Sequence, residues 1–480
     1  MSKSRTKLFL ENFFVYGVGS ILARIAPLIM LPIVTRLMPD TTYYGLSDLS
    51  GITVSFGGAI AMMGMYDAMF RMFFEKDDLE YKKEVCSSTL NFVLISGIIM
   101  CLVLFLLKSY FSVWIFNDIK YVNLLNFTSF SILISTLSTI VIAPTRMQNK
   151  RKIFLVTNTI SPIIGYSISI PMLMHKNYLY ALPTAALVTS SIMLIYFFIL
   201  NRGWFDFKKT NMPLIKEMLK IGAPLMPGVI IYWIFTSCDR LMISKQMGNN
   251  FVGIYGIGAR VASVSQFIYI AFTGGWQYFA FSTMKDEDQV EMTSKIFEYL
   301  ALISFSAIVV IVPFTHFVFE LFFKGNYIDG YLAFPYLFLS PLLLMLYQTI
   351  INQFLVIKKT WPSTLILSVG AVTNVIFNYI LINAIGIEGS AIATLIGYAV
   401  CVIIACIVLS NIKLVYVSAR MKIMSMVTTM FIILWRLVSP IKIKPALLIA
   451  IPTLLIFYYL YRVDIRKTYE RGKKFLKGKD

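Results

Sequence analysis

The sequence predicts an all-α integral membrane fold of about fourteen transmembrane helices, with two six-helix lobes related as repeats and two extra helices after them. Three observations lead there. Hydrophobic residues make up 58% of the chain and charged ones only 14%, with a mean hydropathy of +0.76. The apolar residues fall in runs of about 20 or more, the length a helix needs to cross a hydrocarbon core of about 30 Å. Finally, a segment near the N-terminus recurs, in the same order, near the middle of the chain.

Taken in order, the apolar runs place spans at 12–36, 43–69, 85–107, 121–145, 153–174, 178–200, 218–243, 252–283, 296–322, 330–357, 361–383, 388–412, 421–439 and 445–461. Short turns such as Met38-Pro39-Asp40 and Asn383-Ala384-Ile385-Gly386 make several boundaries soft, so counts of twelve or thirteen stay open. Residues 1–200 then form the N-terminal lobe, 201–217 an inter-lobe loop and 218–412 the C-terminal lobe. The two extra spans occupy 413–461, and 462–480 form a basic tail. The basic start resembles the front of a signal peptide. The apolar run behind it is too long, carries Arg24 and lacks a small-residue cleavage site, so it reads as the first span.

Loop charges orient the chain. Of 43 Lys and Arg residues, 31 fall on the side of the termini and ten on the other, with Arg24 and Arg260 inside spans. By the positive-inside bias both termini are cytoplasmic, in the plasma membrane of the cell. The net charge of +19 then reflects basic loops and tail lying against anionic membrane lipids, at about 1 kcal/mol per residue near the surface, and calls for no nucleic acid. The 5 cysteines show no metal-like or CxxC spacing, and only 2 histidines are present. No polar loop reaches the size of a soluble domain, and no nucleophile with its base, phosphate loop or metal motif appears. The chain reads as a transporter that needs no cofactor, and not as an enzyme.

The repeat rests on three matches. Ala26-Pro27-Leu28 corresponds to Ala223-Pro224-Leu225, Arg36-Leu37-Met38 to Arg240-Leu241-Met242, and Tyr44-Gly45 to Tyr255-Gly256. Each copy carries paired prolines in its first helix, Pro27 with Pro32 and Pro224 with Pro227, which interrupt the hydrogen-bond ladder and bend or break the span. A six-plus-six parallel repeat follows, with both halves starting on the cytoplasmic side.

Tyr16-Gly17-Val18-Gly19-Ser20, Arg24, Leu31-Pro32, Thr35-Arg36, Pro39 and Tyr44-Gly45, with Asp239-Arg240-Leu241 and Gly253-Ile254-Tyr255 after the mid-chain loop, carry a family resemblance. In length, span count and motif order the chain resembles the polysaccharide-flippase branch of the multidrug/oligosaccharidyl-lipid/polysaccharide exporter superfamily. The resemblance implies two six-helix lobes flanking a central cavity lined largely by spans 1, 2, 7 and 8. It also implies transfer of an undecaprenyl-diphosphate-linked oligosaccharide, a cell-surface polysaccharide precursor, from the inner to the outer leaflet. Glycan polymerases and glycosyltransferases of the same pathway are the protein partners it suggests. The doubled Tyr43-Tyr44 after Asp40-Thr41-Thr42 departs from the family's usual turn and leaves the register of the first hairpin open.

Charges inside spans are the candidate site residues. Arg24 lies about 12 residues from either end of its span, so roughly 18 Å from water, too deep to snorkel. Against lipid it would cost about 2.5–3.5 kcal/mol or more. It therefore faces protein or a watery cavity, either paired with a carboxylate of a neighbouring span or as a cationic anchor for phosphate. The second role suits a guanidinium, which stays charged and grips phosphate oxygens bidentately. Arg260, about eight residues into span 8, is the second cavity cation. Arg36, Asp48, Asp239 and Arg240 suggest gating or structural ion pairs near the outer ends of the lobes, Arg36 with Asp48 and Asp239 with Arg260. His316, Glu320 and Lys324 form a helical ladder at the outer end of span 9, with Glu320 a candidate for proton coupling.

A flippase of an anionic head needs fixed cations in its cavity and no ATP site. Three rivals remain: a drug/cation antiporter of the same superfamily, a membrane enzyme of envelope assembly, and a non-transporting component of glycan assembly. An antiporter would favour acidic residues deep in the cavity, and the short loops disfavour an enzyme.

Overall fold

The computed structural model describes residues 25–476 except 271, 273–275, 277–279, 281, 282, 285, 360, 439 and 440. Arg24 lies outside the described residues. The helices are α1 (Ile25–Leu37), α2 (Thr41–Met62), α3 (Met65–Phe73), α4 (Leu79–Leu106), α5 (Lys108–Phe116), α6 (Val122–Met147) and α7 (Arg151–Met174). They continue with α8 (Tyr178–Asn201), α9 (Met212–Gly222), α10 (Met226–Met247), α11 (Asn249–Ala262), α12 (Gln289–Ile311) and α13 (Thr315–Phe322). The last are α14 (Phe334–Val356), α15 (Trp361–Asn411), α16 (Ala419–Val438) and α17 (Ile443–Leu476). Large apolar side chains such as Leu106, Met426 and Leu448 face outward, as a hydrocarbon solvent demands.

Among the described residues eleven stretches are long and apolar enough to cross a membrane, and α2 with α3 makes a twelfth, bent by 51° at Met63–Gly64. The 51 residues of α15 cannot be one span. At 1.5 Å per residue they would reach about 76 Å, far beyond the hydrocarbon thickness. The chain leaves helical geometry at Ile385 and at Gly386, whose φ of 66° only glycine adopts at little cost, so α15 is two arms joined by the predicted Asn383–Gly386 turn. With α1, the described end of the first predicted span, the tally reaches fourteen.

Several element ends differ from the sequence expectation. α3 reaches Phe73 and α4 starts at Leu79, capped by Asp78 accepting from the amides of Glu80 and Tyr81, so polar residues read as loop are helical. The span beginning at 218 starts instead at Met212 as α9, turns through a 3-10 segment at Ala223–Leu225, and resumes as α10 with Pro227 in its first turn. The paired prolines thus sit at a break, where a missing N–H costs little. The short helix α5 was not anticipated.

Helices pack into two compact units. Among the described residues, the first gathers those up to Val261, Phe323–Ala333 and Leu367–Gly397; the second gathers Ala262–Phe322, Phe334–Ile366 and those from Tyr398. Compactness is a different criterion from the repeat, and it groups α9–α11 with the helices of residues 1–200. One end of the first unit is a methionine-rich core, with Met65, Met69, Met72, Met147 and Met218 buried against Phe73, Phe197 and Cys86. The inter-lobe segment is fastened to α4. Asn91 donates to the Phe207 carbonyl and the Thr210 hydroxyl, Ser88 accepts from the Asn211 amide, and Lys209 meets Glu80 at 2.6 Å. That hydrogen bond to the carboxylate holds the Lys209 ammonium above the ordinary lysine range.

The second unit is built round α14, buried on nearly every face. Glu298 on α12 joins α16 and α17 through a hydrogen bond from Tyr461 at 2.7 Å and a contact with Arg420 at 3.6 Å.

Candidate functional site

The site lies in the first unit and begins with the fit of α2 against α10 and α11. A Cβ on Gly45 would lie 1.9 Å from the Asn249 carbonyl oxygen, and one on Gly253 would lie 2.0 Å from that of Thr41. Only glycine permits this approach, the small-residue contact by which membrane helices come close. Next to it a Cβ on Gly256 would touch Tyr44 and Asp48. The two Tyr-Gly pairs of the repeat therefore pack against one another. Further along, Trp233 of α10 lies 4.3 Å, centroid to centroid, from Phe56 of α2 and donates to the Ile52 carbonyl.

The crossing fixes the register left open by the doubled tyrosine. Asp40 caps α2 by accepting from the Thr42 amide at 2.8 Å. Tyr44 then turns inward, edge-on to Tyr327 at 6.3 Å, while Tyr43 packs on Tyr178. The Tyr327 hydroxyl in turn donates to the Met38 carbonyl at 2.9 Å and holds the α1–α2 turn.

Between α2, α10 and α11 lies an enclosed charge cluster. Arg240 Nε donates to Asp48 Oδ2 at 2.6 Å, and the same guanidinium donates to Asp239 Oδ1 at 3.2 Å and to the Thr236 carbonyl at 2.6 Å. Tyr255 donates its hydroxyl to the other Asp239 oxygen, and its ring lies under the guanidinium at 5.7 Å. The side chains of Asp48, Asp239 and Arg240 are 11%, 4% and 15% exposed. Removing one partner from such a pair leaves an uncompensated buried charge, at about 3–5 kcal/mol.

This pairing corrects the expected one. Arg36 ends on the exposed tip of α1, whereas Asp48 lies eight residues beyond the Asp40 cap, about 12 Å deeper along α2. Asp239 is held by the adjacent Arg240 and by Tyr255. Arg260, more than a turn beyond Tyr255, shares the wall of a cavity instead with Tyr44, Asp48 and Tyr166. The structure thus brings Asp48, Asp239, Arg240 and Arg260 together and leaves Arg36 apart.

Arg260 is exposed because it faces a cavity. The cavity holds about 340 Å³ and is walled by α1, α2, α6, α7, α8 and α11. Arg260, Asp48, Tyr44 and Tyr166 supply its polar side, with Ser47, Ser131 and Ser190, while Pro27, Leu31 and Leu182 supply its apolar side. Tyr44, Tyr166 and these serines escaped the sequence reading, which searched spans for charge. The Tyr-Gly repeat was the signal that pointed to Tyr44. An arginine beside phenols and hydroxyls can bind an anion, and the apolar wall can take hydrocarbon.

Two further contacts flank the cluster. Asn117, at the end of α5, donates to the Ser244 hydroxyl at 2.8 Å, and Lys245 donates to the Val113 carbonyl at 2.9 Å, docking α5 on the α10–α11 turn. From Tyr255 a buried polar chain continues to Ser390, which donates to Asn378 at 2.6 Å. In the second unit Glu320 is 68% exposed and 3.7 Å from His316 Nδ1, beside Lys442 and Lys444. Lys324, the expected third rung of that ladder, falls past the end of α13 at Phe322.

A profile of the family described as polysaccharide biosynthesis protein matches residues 33–329, more than half of the chain and the whole of the charge cluster. The chain belongs to this polysaccharide biosynthesis protein family. No curated protein matches it. Among solved structures, the lipid II flippase MurJ in an inward closed conformation is similar with a TM-score of 0.73 at 17% identity, over 94% of this chain and all of that one. An inward-facing multidrug resistance MATE family transporter of the MOP superfamily follows, with a TM-score of 0.58, 16% identity, and coverage of 82% and 97%. A Vibrio cholerae MATE transporter gives 0.58 at 12% identity, over 85% and 98%. This member of the polysaccharide biosynthesis family therefore has the fold of the exporter superfamily expected from its motifs, and is a multi-pass membrane protein.

Proposed function

We propose that the protein is a flippase that carries an anionic lipid-linked oligosaccharide, on an undecaprenyl diphosphate carrier, from the inner to the outer leaflet by alternating access. The observation that carries this reading is Arg260 facing a half-apolar cavity inside the membrane, while Arg240 engages both neighbouring carboxylates. A guanidinium there lowers the desolvation cost of a diphosphate, and the prenyl chain stays in hydrocarbon. Membership of a polysaccharide biosynthesis family and the likeness to a lipid II flippase support the same substrate class.

With the termini cytoplasmic, in the plasma membrane, the charge cluster and the docked α5 lie toward the outer face and hold that end shut until the head group arrives. An anion moving outward gains about 2.3 kcal/mol per charge per 100 mV, so the membrane potential drives export without ATP. The protein performs no bond chemistry and works between glycosyltransferases that supply the lipid-linked glycan and polymerases that consume it. Asp48 in the cavity wall is the one feature favouring the second reading, a cation antiporter, and its ion pair with Arg240 weakens that reading.

The test is reconstitution in liposomes with a panel of labelled prenyl-diphosphate glycans, following arrival in the opposite leaflet. Transfer of at least one is expected. Transfer of none, together with export of organic cations, overturns the proposal.

A further inference from the structure

A second pocket of about 270 Å³ opens between α6, α7 and α8 and shares Ser135 and Ser190 with the Arg260 cavity, so the two adjoin. Among the described residues that line it none is charged, and the Arg146 guanidinium lies 5.5 Å from the centroid of the lining Phe154 ring. Seven serines and threonines, Asn158 and the rings of Phe154 and Phe197 line it instead. Hydroxyls elsewhere on these helices mostly bond back to their own helix, as Thr128, Ser129, Ser131 and Thr136 do with the carbonyl four residues earlier. In the pocket, among the described residues, the side chains of Ser135, Asn158, Ser161 and Ser190 make no such bond. The Thr189 hydroxyl is stronger evidence. It is 8% exposed, lies in the pocket wall, and has no hydrogen-bond partner. A buried polar group left unsatisfied by the protein calls for an explanation, and a ligand reached by a rotation of the side chain is one. Opposite it stands Gly165, at which a Cβ would lie 3.5 Å from that hydroxyl.

We propose that this pocket is a subsite for a neutral sugar ring of the lipid-linked head group, filled while the diphosphate sits at Arg260. It rests on the flippase reading and adds to it a selection by sugar charge. A pyranose presents donors and acceptors around its rim and a C–H face, which the serines, Asn158 and the Phe154 ring complement. A carboxylated sugar would have to leave its charge against a wall whose described lining residues include no cation, at a desolvation cost that the hydroxyls offset only in part. The pocket is a single-ring site by its volume, so it reads one sugar and leaves the rest of the glycan in the larger space.

Binding to the purified full-length protein in nanodiscs separates the two claims. The probes are undecaprenyl diphosphate alone and the same carrier bearing one hexose, one N-acetylhexosamine or one hexuronic acid. At least one neutral sugar is expected to tighten binding about tenfold over the bare carrier, and the hexuronic acid to give less. Thr189→Val, which removes the unpaired hydroxyl at constant shape, and Ser161→Ala are expected to erase that gain. Both should leave affinity for the bare carrier and the melting temperature unchanged or, for Thr189→Val, the melting temperature raised. The subsite is overturned if no neutral sugar adds affinity, if the hexuronic acid adds most, or if the variants weaken bare and sugar-bearing carriers equally. Failure of every carrier, the bare one included, overturns the flippase reading itself.

Discussion

The same four groups are wired the same way in each of the two units. In the first, Arg240 bridges Asp48 and Asp239, and Tyr255 donates to Asp239 beneath the guanidinium. In the second, Arg420 bridges Glu298 and Asp464, and Tyr461 donates to Glu298 with its ring 5.0 Å from the guanidinium. Enclosure separates them. Arg240 is 15% exposed and Arg420 45%. An arginine open to water holds its partners for about 0–1 kcal/mol, whereas an enclosed one becomes indispensable once its carboxylates are buried with it. One motif thus serves as a simple clamp for α16 and α17 in one setting, and in the other adjoins a cavity, where its integrity sets the charge of the cavity wall.

The comparison can be broken first at its strongest point. Arg240→Ala strands two enclosed carboxylates and is expected to destabilise the protein by about 3–5 kcal/mol and to abolish transfer in the liposome assay. Arg240→Lys should recover part of the stability, since an ammonium keeps the charge without the fork that spans two carboxylates. Thermal unfolding in detergent reads this; equal stability of the Ala and Lys variants would show that the charge is not what holds the site.

Next comes Arg260→Ala. It should lower transfer at least tenfold with little change in melting temperature, and Arg260→Lys should fall between it and the parent. A large loss of stability instead would make Arg260 part of the scaffold.

A smaller loss is expected at the helix crossing, where Gly253→Ala places a methyl into the Thr41 carbonyl. Backbone displacement should cost about 1–3 kcal/mol, read as a lowered melting temperature. The smallest effect belongs to the exposed clamp. Asp464→Asn should shift stability by less than about 1 kcal/mol and leave transfer intact, and a loss of transfer there would erase the contrast between the two clusters.

Hydropathy made the number of spans legible, because each span must be apolar along about 30 Å whatever its neighbours do. Arg24 stands outside the described residues, so its predicted role is untouched. The charged residues of the site were also legible: an ionisable group in a span is rare enough to be conspicuous, and Asp48, Asp239, Arg240 and Arg260 do cluster. Who pairs with whom was not. Pairing between helices depends on their relative depth and rotation, and the depth of Asp48 along α2 places it beside Arg240 instead of Arg36. The cavity hydroxyls were beyond reach for another reason. Serines and threonines are abundant in apolar helices, where most bond their own backbone, and only the folded structure tells Thr189 from Thr136. α5 went unseen because nine residues are too few for a span and too apolar for a loop.

The meeting of Tyr44-Gly45 with Tyr255-Gly256 has a consequence for descent. Two matching segments of one chain ordinarily vary separately, each answering to its own surroundings. Here each copy is the other's surroundings: a bulkier residue at Gly45 must be absorbed by the backbone at Asn249 and Gly253, and one at Gly253 by the backbone at Thr41. Change in either half is tolerated only when the other half yields, so the two segments are bound to evolve as a pair.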